Sequence, residues 1–227
     1  MYLSRVEVDT NNRAKIKDLT HLGAYHNWVE QSFPDEIAAN QRTRHLWRID
    51  QLGGKKYLLV LSENQPDKER LEHYGVAGTA MVKSYDQFLD RIQTGQVFQF
   101  RLVANPTYAV TKAGETKHQI FPHVTVEQQR GWLMKKADKN GFAIVTNPAV
   151  DTDDGIFSPL AFDIVDRQYQ ILHRNKNKSG RQVKLSQVTF EGLLQVTDAD
   201  VFRNALTHGI GREKAFGMGM MTVIPEG

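Results

Sequence analysis

The order of hydrophobic periodicities along the chain constrains its fold more than any other feature of the sequence. In the first half, strand, helix, strand, strand and short helix are predicted in that order, at residues 2–9, 18–33, 42–50, 55–61 and 85–92. The long helix stops before Pro34, because the residue that precedes a proline avoids helical backbone angles. Gly53-Gly54 is the turn signal between the two adjacent strands.

The second half of the chain repeats this order. Strands are predicted at residues 96–104, 169–174, 182–188 and 218–224, and the third of these continues at 190–196. Helices are predicted at residues 125–139 and 198–208. Thr197 or Asp198 is the predicted N-cap of the last helix, and Gly209 follows its end. We therefore predict an α+β protein made of two tandem ferredoxin-like (βαββαβ) domains, residues 1–94 and 95–227, with a basic β-hairpin in the second domain.

Composition excludes several kinds of site. The chain has no cysteine, which excludes disulfides, thiolate chemistry and Cys-ligated zinc and makes a reducing cytoplasm the expected compartment. No apolar run reaches the roughly 18 residues of a membrane span, so we expect no membrane contact. The eight histidines show no metal-ligand spacing, and Asp151 to Gly155 resembles only half a calcium loop. We therefore expect no structural or catalytic metal.

Positive charge is concentrated in one short segment, although the net charge of the chain is only +3. Residues 167–190 contain no acid and six bases: Arg167, Arg174, Lys176, Lys178, Arg181 and Lys184. The polar residues 175–180 indicate a turn between two strands, so the segment is predicted to be a hairpin. Such a hairpin is either a solvated face or the binding surface of a polyanion. In the second case Arg174 and Arg181 suit bidentate contacts, while Lys176 and Lys178 act as point charges.

His26 is the candidate general acid or base. It is the titratable group on the apolar stripe of the helix predicted at 18–33, which also carries Leu19, Leu22, Val29 and Phe33. One interpretation is a core histidine satisfied by a hydrogen bond, and the other is a partly buried proton-transfer group. Tyr25 and His21 flank it and could assist.

A glycine-rich segment follows the last predicted helix. It contains four glycines and two bases, namely Gly209, Gly211, Arg212, Lys214, Gly217 and Gly219. The segment lacks the Gly-Lys-Ser/Thr ending of a P-loop and the third glycine of a dinucleotide fingerprint, so no nucleotide cofactor is expected. Glycines allow backbone amides to approach a phosphate closely. The alternative is a tight connection between helix and strand.

These features in this order resemble the CasE family, the repeat-processing endoribonuclease subunit of type I-E CRISPR systems, within a superfamily of repeat-associated proteins. The resemblance covers essentially the whole chain. It rests on the start Met1-Tyr2-Leu3-Ser4, the helix histidine, the run 100–106 and Phe190-Glu191-Gly192. Its most specific part is the glycine-rich ending at 209–221. The chain departs from the family at Gly23, where relatives often carry a tyrosine that supports the histidine.

The resemblance implies a function for each of these features. It implies that the chain binds the stem-loop of a CRISPR repeat in precursor crRNA, cuts it at the 3′ base of the stem without metal, and stays bound as a Cascade subunit. A 2′-hydroxyl attacks and leaves a 2′,3′-cyclic phosphate. The implied catalytic residues are His26 and, beside it, Tyr25. The predicted RNA-binding residues are His173, Arg174, Lys176, Lys178, Arg181, Gly209, Gly211, Arg212, Lys214, Gly217 and Gly219.

Two other classes of function remain open from the sequence alone. A non-catalytic RNA-binding module with the same fold is favoured if His26 is only a core residue. A DNA-binding regulator would prefer duplex DNA, and no helix-turn-helix pattern supports it.

Overall fold

The computed structural model describes residues 1–111, 118–146, 159–173 and 182–226. These residues form helices and antiparallel sheets, which confirms the predicted α+β class. The chain divides into two compact units. Unit 1 comprises Met1–Ile92, Thr207–Gly209 and Glu213–Met220, and unit 2 comprises Gln93–Leu206, Ile210–Arg212 and Met221–Gly227. No helix in the described part of the chain is long and apolar enough to cross a membrane.

Unit 1 is built on a four-stranded antiparallel sheet with the strand order β2-β3-β1-β4. Its elements are β1 (Tyr2–Glu7), α1 (Arg13–Ile16), α2 (Leu22–Gln31), α3 (Pro34–Ala38), β2 (Leu46–Leu52), β3 (Lys55–Ser62), α4 (Lys68–Leu71), β4 (Met81–Ser84) and α5 (Asp86–Asp90). Strand β1 lies in the middle, where Tyr2 is opposite Ser62 of β3 and Ser84 of β4. Gly53 and Gly54 have φ of +56° and +77°, which confirms the turn predicted between β2 and β3.

Helix α2 carries His26, and it is shorter than the sequence predicts. It begins at Leu22, because the ring Nδ1 of His21 accepts a hydrogen bond of 3.2 Å from the Ala24 amide and so caps the helix. The expected start near residue 18 is therefore wrong. His21 therefore has a capping role that the sequence did not indicate. The buried face of α2 packs into an apolar core formed by Val6, Val8, Trp28, Val29, Phe33, Trp47, Leu58, Val60 and Leu71.

Unit 2 contains a five-stranded sheet in which β11, β5, β10 and β8 are neighbours in that order and β9 also pairs with β10. Its elements are β5 (Val97–Ala104), β6 (Thr107–Thr111), β7 (His118–Pro122), α6 (Val126–Lys139), β8 (Phe142–Ile144), β9 (Phe162–His173), β10 (Gln182–Val196), α7 (Ala199–His208) and β11 (Met221–Pro225). The helix predicted at 125–139 is confirmed. Thr125 and Gln128 form a capping box at its start.

Strands β9 and β10 form one long hairpin. Their pairing runs from Phe162 opposite Gly192 to His173 opposite Gln182. The sequence predicts two strand segments where the structure has β10 alone, with a shift in register between Thr189 and Phe190. The two strands flank residues 174–181, where the basic turn is predicted and which lie outside the described part of the chain.

Candidate active site

The structure brings His26 together with the glycine-rich segment. The rings of His26 and Phe216 have centroids 6.5 Å apart and are tilted by 52°. Phe216 ends a single 3₁₀ turn, Lys214–Phe216, which contacts both α2 and β2. Two features that the sequence presents about 190 residues apart therefore meet within unit 1.

His26 lies at the edge of the buried face of α2 rather than inside the core. Its side chain is 37% exposed, whereas its Nδ1 atom is buried and makes no hydrogen bond. The exposed surface therefore belongs to side-chain atoms other than Nδ1. Glu30, one helical turn later, places Oε1 4.0 Å from this nitrogen. The core interpretation requires a buried, hydrogen-bonded ring, and His26 meets neither condition.

Tyr25 points into the core of unit 1. Its ring stacks on Trp47 at a centroid distance of 6.1 Å and an angle of 20°, and it lies 6.2 Å from Trp28. Burial raises the pKa of the Tyr25 phenol above its ordinary value of 10.0. Any chemical role of this residue is therefore that of a neutral hydroxyl, and its packing joins α2 to β2.

Each of the four glycines has a left-handed backbone. Their φ values are +76° at Gly209, +87° at Gly211, +75° at Gly217 and +89° at Gly219. A Cβ atom at Gly217 would lie 2.7 Å from the ring of Trp47, and one at Gly211 would lie 3.0 Å from the ring of Trp132. Gly217 and Gly219 are also buried. Backbone conformation explains all four glycines. Close packing further explains three of them, since a Cβ atom at Gly209 would also lie 2.9 Å from the Leu46 side chain. The sequence indicated only that Gly209 follows the end of a helix.

Strand β2 holds the glycine-rich segment through two side chains. The indole Nε1 of Trp47 donates a hydrogen bond of 3.2 Å to the carbonyl oxygen of Ala215. Arg48 is buried and donates from Nη1 to the carbonyl oxygen of Met220 at 3.0 Å. The Arg48 guanidinium also makes two hydrogen bonds of 2.7 Å to the Asp50 carboxylate. Both ends of the segment 215–220 are thus fixed by adjacent residues of β2, which sequence reasoning missed.

A buried histidine connects two carboxylates beside His26. His45 is 1% exposed at its side chain, and its ring stacks on Phe33 with centroids 3.8 Å apart. Its Nδ1 lies 2.9 Å from Glu30 Oε1, and its Nε2 lies 3.3 Å from Glu36 Oε2. The hydrogen bond with His45 lowers the pKa of Glu30, with further help from the charges of His45, His26 and Arg42, against the opposing effect of burial.

Glu36 is fixed at the far side of His45. Burial raises the pKa of the Glu36 carboxyl, but hydrogen bonds from Asn64 and Thr43 and the charge of His45 outweigh it and lower this pKa overall. Glu36 Oε1 accepts from Asn64 Nδ2 at 2.8 Å and from the Thr43 hydroxyl at 2.8 Å. Sequence reasoning missed this network, although the spacing of Glu30 from His26 was a signal for a shared helix face.

The structure describes only part of the predicted binding surface. His173 ends β9 opposite Gln182, and the predicted RNA-binding bases of the hairpin lie outside the described residues: Arg174, Lys176, Lys178 and Arg181. Arg212 is exposed and Lys214 is partly buried. Within the described ranges, no three His, Asp or Glu side chains group closely enough to hold a metal ion.

Comparison with known proteins adds relatives over the full length. The CRISPR-associated endoribonuclease Cse3 of Thermus thermophilus is 25% identical over 228 residues, covering 99% of this chain and 100% of that protein. The CRISPR system Cascade subunit CasE of Escherichia coli is 25% identical over 234 residues, with 99% and 100% coverage.

Solved structures share the fold. Cse3 bound to a 19-nucleotide RNA superposes with a TM-score of 0.77 at 23% identity, covering 99% of this chain and 100% of that chain. Cas6e from Escherichia coli gives a TM-score of 0.59 at 21% identity, with 100% of both chains covered. The family described as CRISPR associated protein matches residues 1–225. The resemblance stated from the sequence is therefore confirmed, and this chain belongs to the family of CRISPR-associated proteins that includes Cse3 and CasE.

Proposed function

We propose that this chain is an endoribonuclease of CRISPR RNA processing, which binds the repeat stem-loop in precursor crRNA, cuts at the 3′ base of the stem and stays with the product as a Cascade subunit. Its family and its full-length relatives, named endoribonuclease Cse3 and Cascade subunit CasE, support this function. The observation that carries the proposal is the half-exposed ring of His26 beside the glycine-rich segment.

The proposed reaction is a metal-independent transesterification. The 2′-hydroxyl next to the scissile phosphate attacks phosphorus in line, and the 5′-oxygen leaves, giving a 2′,3′-cyclic phosphate and a free 5′-hydroxyl. His26 either takes the proton of the 2′-hydroxyl or delivers one to the 5′-oxygen, a contribution of roughly 10²–10⁴-fold. Nearby Lys or Arg side chains stabilise the extra charge on phosphorus. Tyr25 is proposed to contribute as a neutral hydroxyl.

The proposed RNA-binding residues lie in two segments of the sequence, the basic hairpin and the glycine-rich segment. The hairpin supplies His173, Arg174, Lys176, Lys178 and Arg181. In the glycine-rich segment, Arg212 and Lys214 supply charge, and the backbone at Gly209 and Gly211 is proposed to approach phosphate. Because Gly217 and Gly219 are buried, we propose that these two act by shaping the segment.

We further propose that both domains, 1–94 and 95–227, are ferredoxin-like. The strand order β2-β3-β1-β4 supports this for the first, since its first strand lies between the third and the fourth. The order β11-β5-β10-β8 supports it for the second by the same criterion. Segments 207–209 and 213–220 group with the first unit, although they lie in the second half of the sequence.

The test of this function uses two matched repeat hairpins in EDTA. One is RNA throughout, and the other carries a 2′-deoxy substitution at the nucleotide that precedes the cut. We expect equal binding of both and cleavage of the first alone, with a cyclic phosphate end. Cleavage of the deoxy substrate, or dependence on added metal, contradicts the mechanism. Binding without any cleavage favours the non-catalytic module, and tighter binding to duplex DNA favours the regulator.

A further inference from the structure

We propose that Glu30 is a positioning residue for His26, and that the buried His45 holds Glu30 in place from its other side. This inference rests on the proposed catalytic role of His26. It adds two side chains to the site that touch no RNA and act only through the imidazole of His26.

The geometry of one carboxylate oxygen carries the inference. Oε1 of Glu30 lies 2.9 Å from Nδ1 of His45 and 4.0 Å from Nδ1 of His26. Both imidazole rings therefore turn a nitrogen toward the same carboxylate oxygen. The first distance is a hydrogen bond, and the second is too long for one. The Nδ1 atom of His26 is nonetheless buried and without a hydrogen-bond partner. The inference requires this gap to close in the complex with RNA, as gaps between catalytic groups often do when substrate binds.

Glu30 is held as a fixed negative charge. Its side chain is only 14% exposed. The charged and titratable groups that face it are His26 on α2 and, from the segment leading into β2, Arg42 at 3.5 Å and His45. The hydrogen bond with His45 is the main cause that lowers the pKa of Glu30, so the carboxyl is ionised at neutral pH. Glu36 fixes the opposite nitrogen of His45 and prevents that ring from turning away.

A carboxylate behind the inner nitrogen has one main consequence for His26. It fixes the orientation of the ring, so that the opposite side of the ring faces outward, where RNA would lie. Buried carboxylates act in this way on the histidine of Ser-His-Asp triads. Removing Glu30 should therefore lower the rate of cleavage without lowering the affinity for RNA.

The test compares Glu30→Gln with Glu36→Gln. Both variants replace a carboxylate on His45 by an amide of equal size, and only the first faces His26. Single-turnover cleavage of a repeat hairpin is measured together with hairpin affinity and thermal stability. For Glu30→Gln we expect unchanged affinity and a rate reduced by about tenfold or more, within the range of acid–base contributions. For Glu36→Gln, which reaches His26 only through His45 and Glu30, we expect lower stability and a smaller fall in rate than for Glu30→Gln.

Two further variants separate this inference from the proposed function. His26→Ala should slow cleavage at least about 10²-fold, and Glu30→Gln added to it should slow the residual cleavage no further, because Glu30 acts only through His26. A wild-type rate in Glu30→Gln, together with slow cleavage by His26→Ala, overturns the inference and leaves the function intact. An active His26→Ala overturns the proposed function instead. If Glu30→Gln does not fold, Glu30→Asp replaces it, because this variant keeps the negative charge but holds it farther from His26. Glu30→Asp should bind the RNA hairpin with wild-type affinity and cut it more slowly. A wild-type rate in Glu30→Asp counts against a positioning role of Glu30.

Discussion

Replacing Gly217 by alanine tests whether the glycine-rich segment is shaped by packing against Trp47. The residue has φ of +75°, where an L side chain costs roughly 1–2 kcal/mol. A Cβ atom there lies 2.7, 2.9 and 3.0 Å from three carbons of the Trp47 ring. Trp47 is 1% exposed and its Nε1 is hydrogen-bonded to Ala215, so the ring has little freedom to move.

The expected destabilisation combines the two costs. Forcing one extra carbon into a packed core costs about 1–3 kcal/mol, so Gly217→Ala should be destabilised by roughly 2–5 kcal/mol in total. For chains of about this size that corresponds to a fall in Tm of roughly 5–20 °C. Gly78 is a matched control, because it has the same φ of +75° and nothing within 4 Å of the added Cβ. Gly78→Ala should be destabilised by only about 1–2 kcal/mol.

Thermal and urea unfolding of the two variants measure the difference. We expect Gly217→Ala to be less stable than Gly78→Ala. The loss of stability caused by Gly217→Ala should be smaller in a protein that also carries Trp47→Leu, because residues 217 and 47 are in contact. Repeat cleavage should also fall in Gly217→Ala, since the next residue back, Phe216, contacts His26. Equal destabilisation of the two alanine variants would refute the packing argument. A stable Gly217→Ala protein that binds and cuts normally refutes any role of the segment's shape.

Three further outcomes follow from the same account. Charge reversal at Arg174 and Lys176 should weaken binding of the RNA hairpin. It should also lower the slope of log affinity against log salt concentration by roughly 0.7–0.9 for each phosphate that the variant no longer binds. Charge reversal at the exposed Lys83 is the control and should change neither quantity, and equal slopes for all variants count against the basic hairpin. Because the folded-state pKa values of Glu30 and Glu36 lie below their ordinary 4.5, the stability they contribute is complete above pH 4.5 and is lost as the pH falls below it. Unfolding of wild type and Glu36→Gln at several pH values should therefore converge in acid. ATP should neither bind nor alter cleavage, which calorimetry and a cleavage assay check directly.

Elements with local signals could be predicted from the sequence. Helix α6 has a capping box at Thr125 and a clear stop, and the turn after β2 has two adjacent glycines. The hairpin of β6 and β7 was missed, because neither strand has a buried face and so neither shows alternation. The start of α2 was misplaced because a histidine is an uncommon cap.

The site was predictable only in part. Helical spacing singled out His26, and composition singled out the glycine-rich segment, but only the fold shows that Phe216 contacts that ring. The burial of His45 between Glu30 and Glu36 depends on three separate segments, so no single periodicity reveals it. Trp47 and Arg48 likewise donate hydrogen bonds to residues that are distant in the sequence, and local sequence patterns do not reveal such pairs.

Single-turnover cleavage of a repeat hairpin by His26→Ala, in EDTA and beside a measurement of binding, tests the central claim most directly. The exposed His73 provides a matched control as His73→Ala, which should cut like wild type. We expect His26→Ala to bind the hairpin with wild-type affinity and to cut it at least about 10²-fold more slowly. Cleavage by His26→Ala at the wild-type rate would contradict the account.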